Sequence, residues 1–390
     1  MNGNSDQCIY LDYHATTPID PAVRSIMLPL LEEAYGNPHS EHAPGWQAAD
    51  LIDRARRQVA NLIGAATDEI VFTSGATEAN NHALRGILCA VNGQKVHIVT
   101  SAIEHKSILQ TLAATRNENI EIDVVPISKD GRINPDRVAA CLRDDTVLVS
   151  IGMANNEIGT IQPISKLAAI CRDRSITFHT DAAQAIGKIP VDVTVNDIDL
   201  LSLSGHKIYG PKGIGVLYIS RHSPIKPKPL ILGGTQQNGM RAGTVPTFLC
   251  AGLGEACRIA SQRMHTDANH VTQLRSHFLK RLRRSIPGIK INGSMNHRLP
   301  GNLNIQLPNV DADALLVMLQ DKVALSTGSA CNAGLIEPSH VLSAIGLSPE
   351  AANSSIRIGI GRLTTDAEIH KAADIIAEKA TNLRQISTYT

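Results

Sequence analysis

The sequence predicts an α/β protein with a mainly parallel seven-stranded sheet, helices on both of its faces, and a smaller α+β domain. Between about residues 47 and 247, short apolar and β-branched runs alternate with helical stretches. That alternation is typical of a parallel sheet covered on both faces. After about residue 251 the pattern changes to one long amphipathic helix, shorter strand signals and a final helix over residues 365–385.

Each element follows from a local pattern. Apolar residues recur at helical spacing over residues 48–62, and Gly64 ends that helix. A helix over residues 164–174 is typical of the connections between strands. Two further strands are predicted in the second domain, over residues 301–305 and 355–358. The seven strands of the main sheet are predicted at residues 69–73, 96–99, 122–125, 147–151, 176–179, 199–203 and 215–219.

Length and charge limit the possible functions. A chain of 390 residues is too long for one ordinary core, so we predict a large domain over residues 17–255 and a small domain from residues 1–16 and 256–390. The net charge of +1 gives no field that attracts nucleic acid or an anionic membrane, and we expect neither as a partner. No segment has the ~18 apolar residues that a membrane span needs. The N-terminus lacks the pattern of a signal peptide.

The seven cysteines contain no Cys-x-x-Cys pair, so neither a disulfide framework nor a resident metal site is expected. This usage favours a reducing, cytoplasmic location. Cys331 stands apart because its neighbours are small and polar, which predicts an exposed loop with an accessible thiol. The other six follow helical or strand patterns or lie near the terminus, and we interpret them as structural: Cys8, Cys89, Cys141, Cys171, Cys250 and Cys257.

Polar motifs follow several of the predicted strands. Lys207 comes directly after a strand, on a loop with several glycines. Ligands bind at the carboxyl ends of strands in open α/β sheets. A lysine that loses water there becomes a nucleophile suited to Schiff-base chemistry. Taken alone, Lys207 is modest evidence for such a site, because most lysines are ordinary surface residues.

Three more motifs have the same placement. Gly75 and Thr77 open a helix after a strand, which suits a phosphate at the helix N-terminus. Asp181 would lie at the carboxyl edge of the sheet, where a carboxylate can keep a pyridine nitrogen protonated. His105 could stack on a flat ring and shuttle protons. Ordinary helix caps and a structural histidine are the alternatives.

Together these motifs resemble the NifS/IscS-type cysteine desulfurases over nearly the whole chain, from about Ile9 to the last helix. The resemblance implies a fold-type I pyridoxal-phosphate enzyme that forms a homodimer. The matching segments are residues 10–18, 36–40, 73–78, 104–106, 155–159, 181–184, 204–207 and 325–331. The Ser-Gly-His-Lys and Gly-Ser-Ala-Cys segments are highly specific in combination.

The resemblance also implies roles for individual residues. Lys207 would bind pyridoxal 5′-phosphate covalently, and Asp181 would pair with its ring nitrogen. Gln184 would bind the ring hydroxyl, and His105 would stack on the ring. The remaining implied contacts are Ala76, Thr77, Ser204 and His206 for the phosphate, Thr244 for the phosphate of the partner subunit, and Asn156 and Arg357 for the substrate, with Asn156 also near the cofactor.

The implied activity is that of a sulfurtransferase. L-cysteine would become L-alanine, and its sulfur would pass to Cys331 as a persulfide on a loop over about residues 326–337. An acceptor protein would then take the sulfur for iron–sulfur cluster assembly, tRNA thiolation or DNA sulfur modification, three destinations that stay open. Cys331 would contact a nascent iron–sulfur cluster only transiently.

Alternatives and departures accompany this prediction. An aminotransferase or a selenocysteine-specific lyase would share the fold, and a non-catalytic relative would act as a binding subunit. Cys331 favours sulfur transfer over transamination, and the presence of both Lys207 and Cys331 favours an enzyme. The chain departs from the family at residues 233–239, which lack an acidic–basic pair, and at the C-terminus, which lacks the tail that binds an iron–sulfur scaffold.

Overall fold

The computed structural model describes residues 8–327 and 338–387. Its strands are β1 (Ile9–Tyr10), β2 (Ile70–Thr73), β3 (Val96–Ser101), β4 (Ile120–Val125), β5 (Thr146–Ser150), β6 (Thr177–Asp181), β7 (Leu200–Ser204), β8 (Gly215–Ile219), β9 (Lys290–Ile291), β10 (Asn302–Gln306), β11 (Val323–Ala324) and β12 (Ser355–Gly359). Its helices are α1 (Pro21–Glu33), α2 (Ala43–Ile63), α3 (Ala76–Ala90), α4 (Lys106–Thr115), α5 (Pro135–Cys141), α6 (Ile164–Arg172), α7 (Thr247–Ser285), α8 (Ala312–Leu319), α9 (His340–Ala344), α10 (Pro349–Asn353) and α11 (Asp366–Ser387).

The largest sheet has seven strands in the order β2-β8-β7-β6-β5-β3-β4. Strand β8 runs antiparallel to both of its neighbours, β2 and β7, and the other pairs are parallel. The connection from β7 to β8 covers residues 205–214, which is too short for the helical crossover that a parallel pair needs. The predicted seven-stranded, mainly parallel sheet is confirmed.

Both faces of this sheet are buried, because alternate residues of each strand enter different cores. Phe72 of β2 packs into the core that contains α2, α6 and the first part of α7. Its neighbour Val71 packs into a second core with α3 and α4. Helices therefore cover both faces, as predicted.

A separate hydrophobic cluster forms around the three-stranded antiparallel sheet β12-β10-β9 and the pair β1-β11. Ile9 and Leu11 from the start of the chain join this cluster, together with α8 and α11. Helix α7 has 39 residues, and at about 1.5 Å per residue it is long enough to reach from the first core to this one. Its residues Leu253 and Phe278 belong to the two different cores.

Helix boundaries follow the predicted signals. Helix α2 ends before Gly64, whose φ of 69° lies in the left-handed region that favours glycine. Helix α7 begins at Thr247, four residues before the predicted change of pattern, directly after Pro246. Among the described helices, none combines the length and the apolar content that crossing a membrane would require.

Candidate active site

A cavity of about 680 Å³ opens at the carboxyl ends of β3, β5, β6 and β7. Parallel strands bring the residues that follow them to this one edge, as the sequence predicted. Ten of the predicted site residues line the cavity: Ala76, Thr77, His105, Asn156, Asp181, Gln184, Ser204, His206, Lys207 and Arg357. Cys331 lies outside the described residues.

Lys207 ends the short 3₁₀ turn Gly205–Lys207 that follows β7. Its Nζ donates hydrogen bonds to the backbone carbonyl oxygens of His14 and Ala15, both at 2.6 Å. Burial and then the nearby Arg357 lower the pKa of Lys207 to about 8, against the opposing effect of Asp181 and Asp12. The lowered pKa increases the fraction of neutral, nucleophilic amine near physiological pH.

The start of helix α3 forms a cup with free backbone N–H groups. Gly75 precedes the helix with a φ of 156°, and a Cβ at Gly75 would meet no atom within 4 Å. Gly215 packs against it, because a Cβ at Gly215 would lie 2.6 Å from the Cα of Gly75. Thr77 lines the same part of the cavity. The helix dipole and the N–H groups suit an anion such as a phosphate.

The Asp181 carboxylate is held from two sides at the end of β6. Asn80 donates from Nδ2 to its Oδ2 at 2.8 Å, and the Ala183 backbone N–H donates to its Oδ1 at 2.9 Å. His105 caps α4, because its Nδ1 accepts the backbone N–H of Ser107 at 3.1 Å. Nδ1 is then an acceptor, so a neutral His105 ring carries its proton on Nε2.

Arg357 lies on β12 at the far side of the cavity. Its Nη2 donates to Asp12 Oδ1 at 2.9 Å, and its Nη1 lies 3.4 Å from the backbone oxygen of Asn156. Its Nε is buried without a partner among the described residues. A guanidinium with an unused donor next to a cavity suits a carboxylate ligand.

The described residues on either side of the Cys331 segment contact this site. Before the segment, Ser326 accepts the backbone N–H of Arg357 at 2.7 Å. After it, the hydroxyl of Ser339 donates to Glu157, the neighbour of Asn156. Because Arg357 and Asn156 line the cavity, the described residues on both sides of the Cys331 segment lie next to it.

Thr244 is exposed and does not line the cavity of its own chain. The segment that carries it is tied to the anion cup, because Arg241 donates to both Glu78 oxygens at 3.0 and 3.3 Å. Within the departure from the family, Gln237 hydrogen-bonds the backbone N–H and C=O of Phe72 on the edge strand β2. A glutamate would lack the N–H group that binds the carbonyl.

Sequence reasoning assigned no role to several titratable residues at the site. Burial raises the pKa of Glu104 to about 7, and it accepts hydrogen bonds from Ser101 and the Gly152 backbone. Burial also raises the pKa of Glu157 to about 7. His14 and Lys188 both contact Gln184. His14 and Glu104 belong to recognised motifs, which was the available signal, whereas nothing in the sequence marks Lys188.

Two other features lie apart from the cavity. His277, Asp366 and His370 form a partly exposed group of possible metal ligands between α7 and α11, whose atoms already hydrogen-bond or pair with one another. Among the six described cysteines, all are free, and Cys89 is exposed rather than buried in a core.

Comparison with known proteins identifies the class. Residues 9–371 match the family described as aminotransferase class-V. The chain is 46% identical to the cysteine desulfurase IscS of Rickettsia conorii over 380 residues, which cover 97% of this chain and 92% of that protein. It is also 46% identical to the human cysteine desulfurase, covering 97% and 83% of the two chains.

Solved structures agree with this. A NifS-like protein superposes with a TM-score of 0.88 at 33% identity, covering 98% of this chain and 100% of that one. DndA from Streptomyces lividans superposes with a TM-score of 0.76 at 39% identity, covering 88% of this chain and 97% of that one. SspA, solved in complex with cysteine, superposes with a TM-score of 0.80 at 36% identity, covering 91% of this chain and 99% of that one.

The fold and the cavity are thus those of a class-V aminotransferase, and the predicted fold type I of pyridoxal-phosphate enzymes is confirmed. Within that class, the chain belongs to the cysteine desulfurase family.

Proposed function

We propose that this chain converts L-cysteine to L-alanine and takes the sulfur onto Cys331 as a persulfide, with pyridoxal 5′-phosphate as its cofactor. The observation that carries the proposal is the convergence of Lys207, Asp181, the α3 anion cup and Arg357 on one cavity. These groups supply an amine, a carboxylate, a phosphate site and a carboxylate-binding cation. Binding an amino acid together with this cofactor requires all four groups.

The residues present fit the cofactor. The free N–H groups of α3, with Ala76, Thr77, Ser204 and His206, would hold its phosphate. Asp181 would pair with the ring nitrogen, Gln184 with the ring hydroxyl, and His105 would stack on the ring, while Lys207 would hold the cofactor covalently. When bound, the cofactor supplies an electron sink that stabilises negative charge on the substrate Cα.

The protein residues would perform the other tasks. Arg357 would bind the substrate carboxylate through its free donor, and Asn156 would help to orient the substrate. Lys207, with its lowered pKa, would move the proton at the substrate Cα, and His105 would relay protons from the other side. The Cys331 thiolate would attack the substrate sulfur, forming an S–S bond as the C–S bond breaks. The electron pair of that bond stays on carbon and takes a proton, which yields alanine.

The assembly around this site is part of the proposal. We propose a homodimer in which Thr244 reaches the cofactor phosphate of the partner subunit, and an acceptor protein that removes the persulfide sulfur for iron–sulfur cluster assembly or another thiolation. We propose a division into residues 17–255 and residues 1–16 with 256–390; two separate hydrophobic clusters support two domains, although the first cluster continues along α7 to Ile259. The six cysteines in the described part of the chain are free, which supports the proposed reducing, cytoplasmic location.

The role of Lys207 is tested by its absorption spectrum. We expect the purified protein to be yellow with pyridoxal phosphate, and Lys207→Ala to shift or abolish the band because the covalent attachment is lost. Lys166→Ala, an exposed change on α6, is the control. An unchanged band in Lys207→Ala would exclude Lys207 as the attachment site.

The role of Cys331 is tested by its products. We expect Cys331→Ser to keep the cofactor band but to release no sulfide from cysteine in the presence of reductant. The wild type and the exposed-thiol control Cys89→Ser should release sulfide and alanine in equal amounts. Undiminished sulfide release by Cys331→Ser would remove Cys331 from the mechanism, and a keto acid in place of alanine would indicate transamination.

A further inference from the structure

The Gln184 carboxamide is held by three hydrogen bonds at the edge of the cavity. Its Oε1 accepts from Lys188 Nζ at 2.9 Å and from His14 Nδ1 at 3.0 Å. Its Nε2 donates to the backbone oxygen of His14 at 2.9 Å. One Nε2 proton is thereby used, and the second has no acceptor among the described residues. Gln184 itself lines the cavity.

The chemistry of the partners permits only one orientation of this amide. A lysine ammonium has three donors and no acceptor, so it must face the oxygen of Gln184 and not the NH₂ group. Burial and the nearby Lys188 hold the pKa of His14 well below its usual value, so its ring is neutral. His14 then donates from Nδ1 and leaves Nε2 unprotonated, which agrees with Nε2 having no partner in the described structure.

Lys188 is an unusual group to find here. It lies four residues after Gln184 and forms no ion pair with a carboxylate among the described residues. Burial of the ammonium, then Lys207 and Arg357, lower its pKa to about 7. An ammonium without a counterion is costly to bury. The cations that face it come from separate elements, with Lys207 after β7 and Arg357 on β12.

We propose that Lys188 is a positioning residue for the cofactor: together with His14 it fixes the Gln184 amide so that a free N–H faces the cavity. This inference rests on the proposed function, in which Gln184 binds the ring hydroxyl of the cofactor. An N–H directed at that oxygen stabilises its anionic form.

The test compares substitutions at both positions in the cofactor-loaded enzyme. Lys188→Met removes the donor and the charge, and we expect the pH midpoint of the cofactor absorption band to rise by about one unit. We expect its dissociation constant for pyridoxal phosphate, measured by fluorescence, to rise about 5- to 10-fold. Gln184→Glu keeps an acceptor for Lys188 but removes the N–H, so both quantities should change in the same direction. Lys188→Arg keeps charge and donor and should restore near wild-type values.

The double variant separates positioning from simple stabilisation. If Lys188 acts through Gln184, Lys188→Met should weaken cofactor binding much less in a Gln184→Leu background, which has no amide to orient, than in the wild type. Fully additive effects, or a Lys188→Met enzyme with an unchanged band midpoint and a lower melting temperature alone, would overturn the inference. An absent cofactor band in the wild type would instead contradict the proposed function. An active wild type with an unresponsive Lys188→Met variant would contradict only this inference.

Discussion

Arg357 illustrates how contacts within the protein hold single residues of this site in place. The side chain is 9% exposed and pairs with Asp12, which is 16% exposed. Its backbone pairs with Ser326, which leads into the segment that carries Cys331. Arg357 therefore contacts both the proposed substrate site and the chain that leads to Cys331.

We expect Arg357→Lys to raise the KM for cysteine about 10- to 100-fold with a smaller change in kcat, because a point charge replaces a planar fork. Steady-state kinetics with cysteine and with cysteamine, which lacks the carboxylate, measure this directly. The preference for cysteine should fall in the variant. Arg281→Lys, in an exposed pair with Asp374, is the control. An unaltered preference would exclude Arg357 as the carboxylate ligand.

Glu104 predicts a pH dependence of stability. Its pKa in the folded protein is about 7, against 4.5 for the ordinary group, because it is buried. The native state therefore holds a proton that the unfolded state has lost, and stability falls as the pH rises from 4.5 to 7. Across this range, the shifted pKa of Glu104 lowers the free energy of unfolding by roughly 3 kcal/mol. In Glu104→Gln the part of this fall that comes from Glu104 should be absent, whereas the part that comes from Glu157, whose pKa is also about 7, should remain.

Urea unfolding of both proteins at several pH values measures the difference. Glu118→Gln, an exposed change, controls for the loss of one carboxylate. If the wild type and Glu104→Gln lose stability in parallel between pH 4.5 and 7, Glu104 does not titrate in this range.

The sequence identified the site residues that directly follow strands, but not the residues that hold those side chains in place. Lys207, Asp181 and Thr77 were predictable because strand ends meet at one edge of a parallel sheet. Contacts such as His14 to Gln184 join residues 170 positions apart, and no local spacing encodes them. Lys188 appears in the sequence as an ordinary charged residue, since its burial depends on elements that pack over it.

At the scale of elements, two short helices, α9 and α10, follow the segment that contains Cys331. Ser339 caps α9 by accepting the N–H groups of Val341 and Leu342, and it also donates to the buried Glu157. Ser348 caps α10 in a similar way but contacts no buried carboxylate. These two serines form a natural pair for comparison.

We expect Ser348→Ala to cost about 1 kcal/mol, the usual value of an N-cap. Ser339→Ala should cost about 2–3 kcal/mol, because Glu157 also loses its hydroxyl donor in a buried place. Urea unfolding at one pH measures both. Equal costs would mean that the Ser339 contact with Glu157 adds nothing to stability.

Strand assignment from the sequence succeeded because apolar runs and turn residues mark each strand of the main sheet. The order of the strands was not predictable in the same way. Strand β2 pairs with β8, which comes about 140 residues later, and only tertiary packing determines that neighbour.

At the scale of the whole molecule, α1, α2 and the connection between them expose apolar side chains that a monomer would leave in water. Leu28, Leu31, Tyr35 and Trp46 are between 56% and 80% exposed. Such side chains are typical of a protein–protein interface when several occur close together. The homodimer that we propose would cover them.

We expect the wild type to sediment as a dimer and Trp46→Arg to shift it towards the monomer, because burying an unpaired charge opposes association. Val195→Arg changes a side chain that is 76% exposed elsewhere and is the control. The monomer should also bind the cofactor more weakly if Thr244 of one subunit serves the other. A Trp46→Arg dimer as tight as the wild type would place the interface elsewhere.

The contacts around the cavity also limit when the site can form during synthesis of the chain. Asp12 meets Arg357 across 345 positions of sequence, and the Lys207 amine rests on carbonyl groups from the beginning of the chain. A nascent chain on the ribosome thus holds an incomplete pocket until Arg357 has emerged. We therefore expect the proposed cofactor to be captured only after β12 has been synthesised.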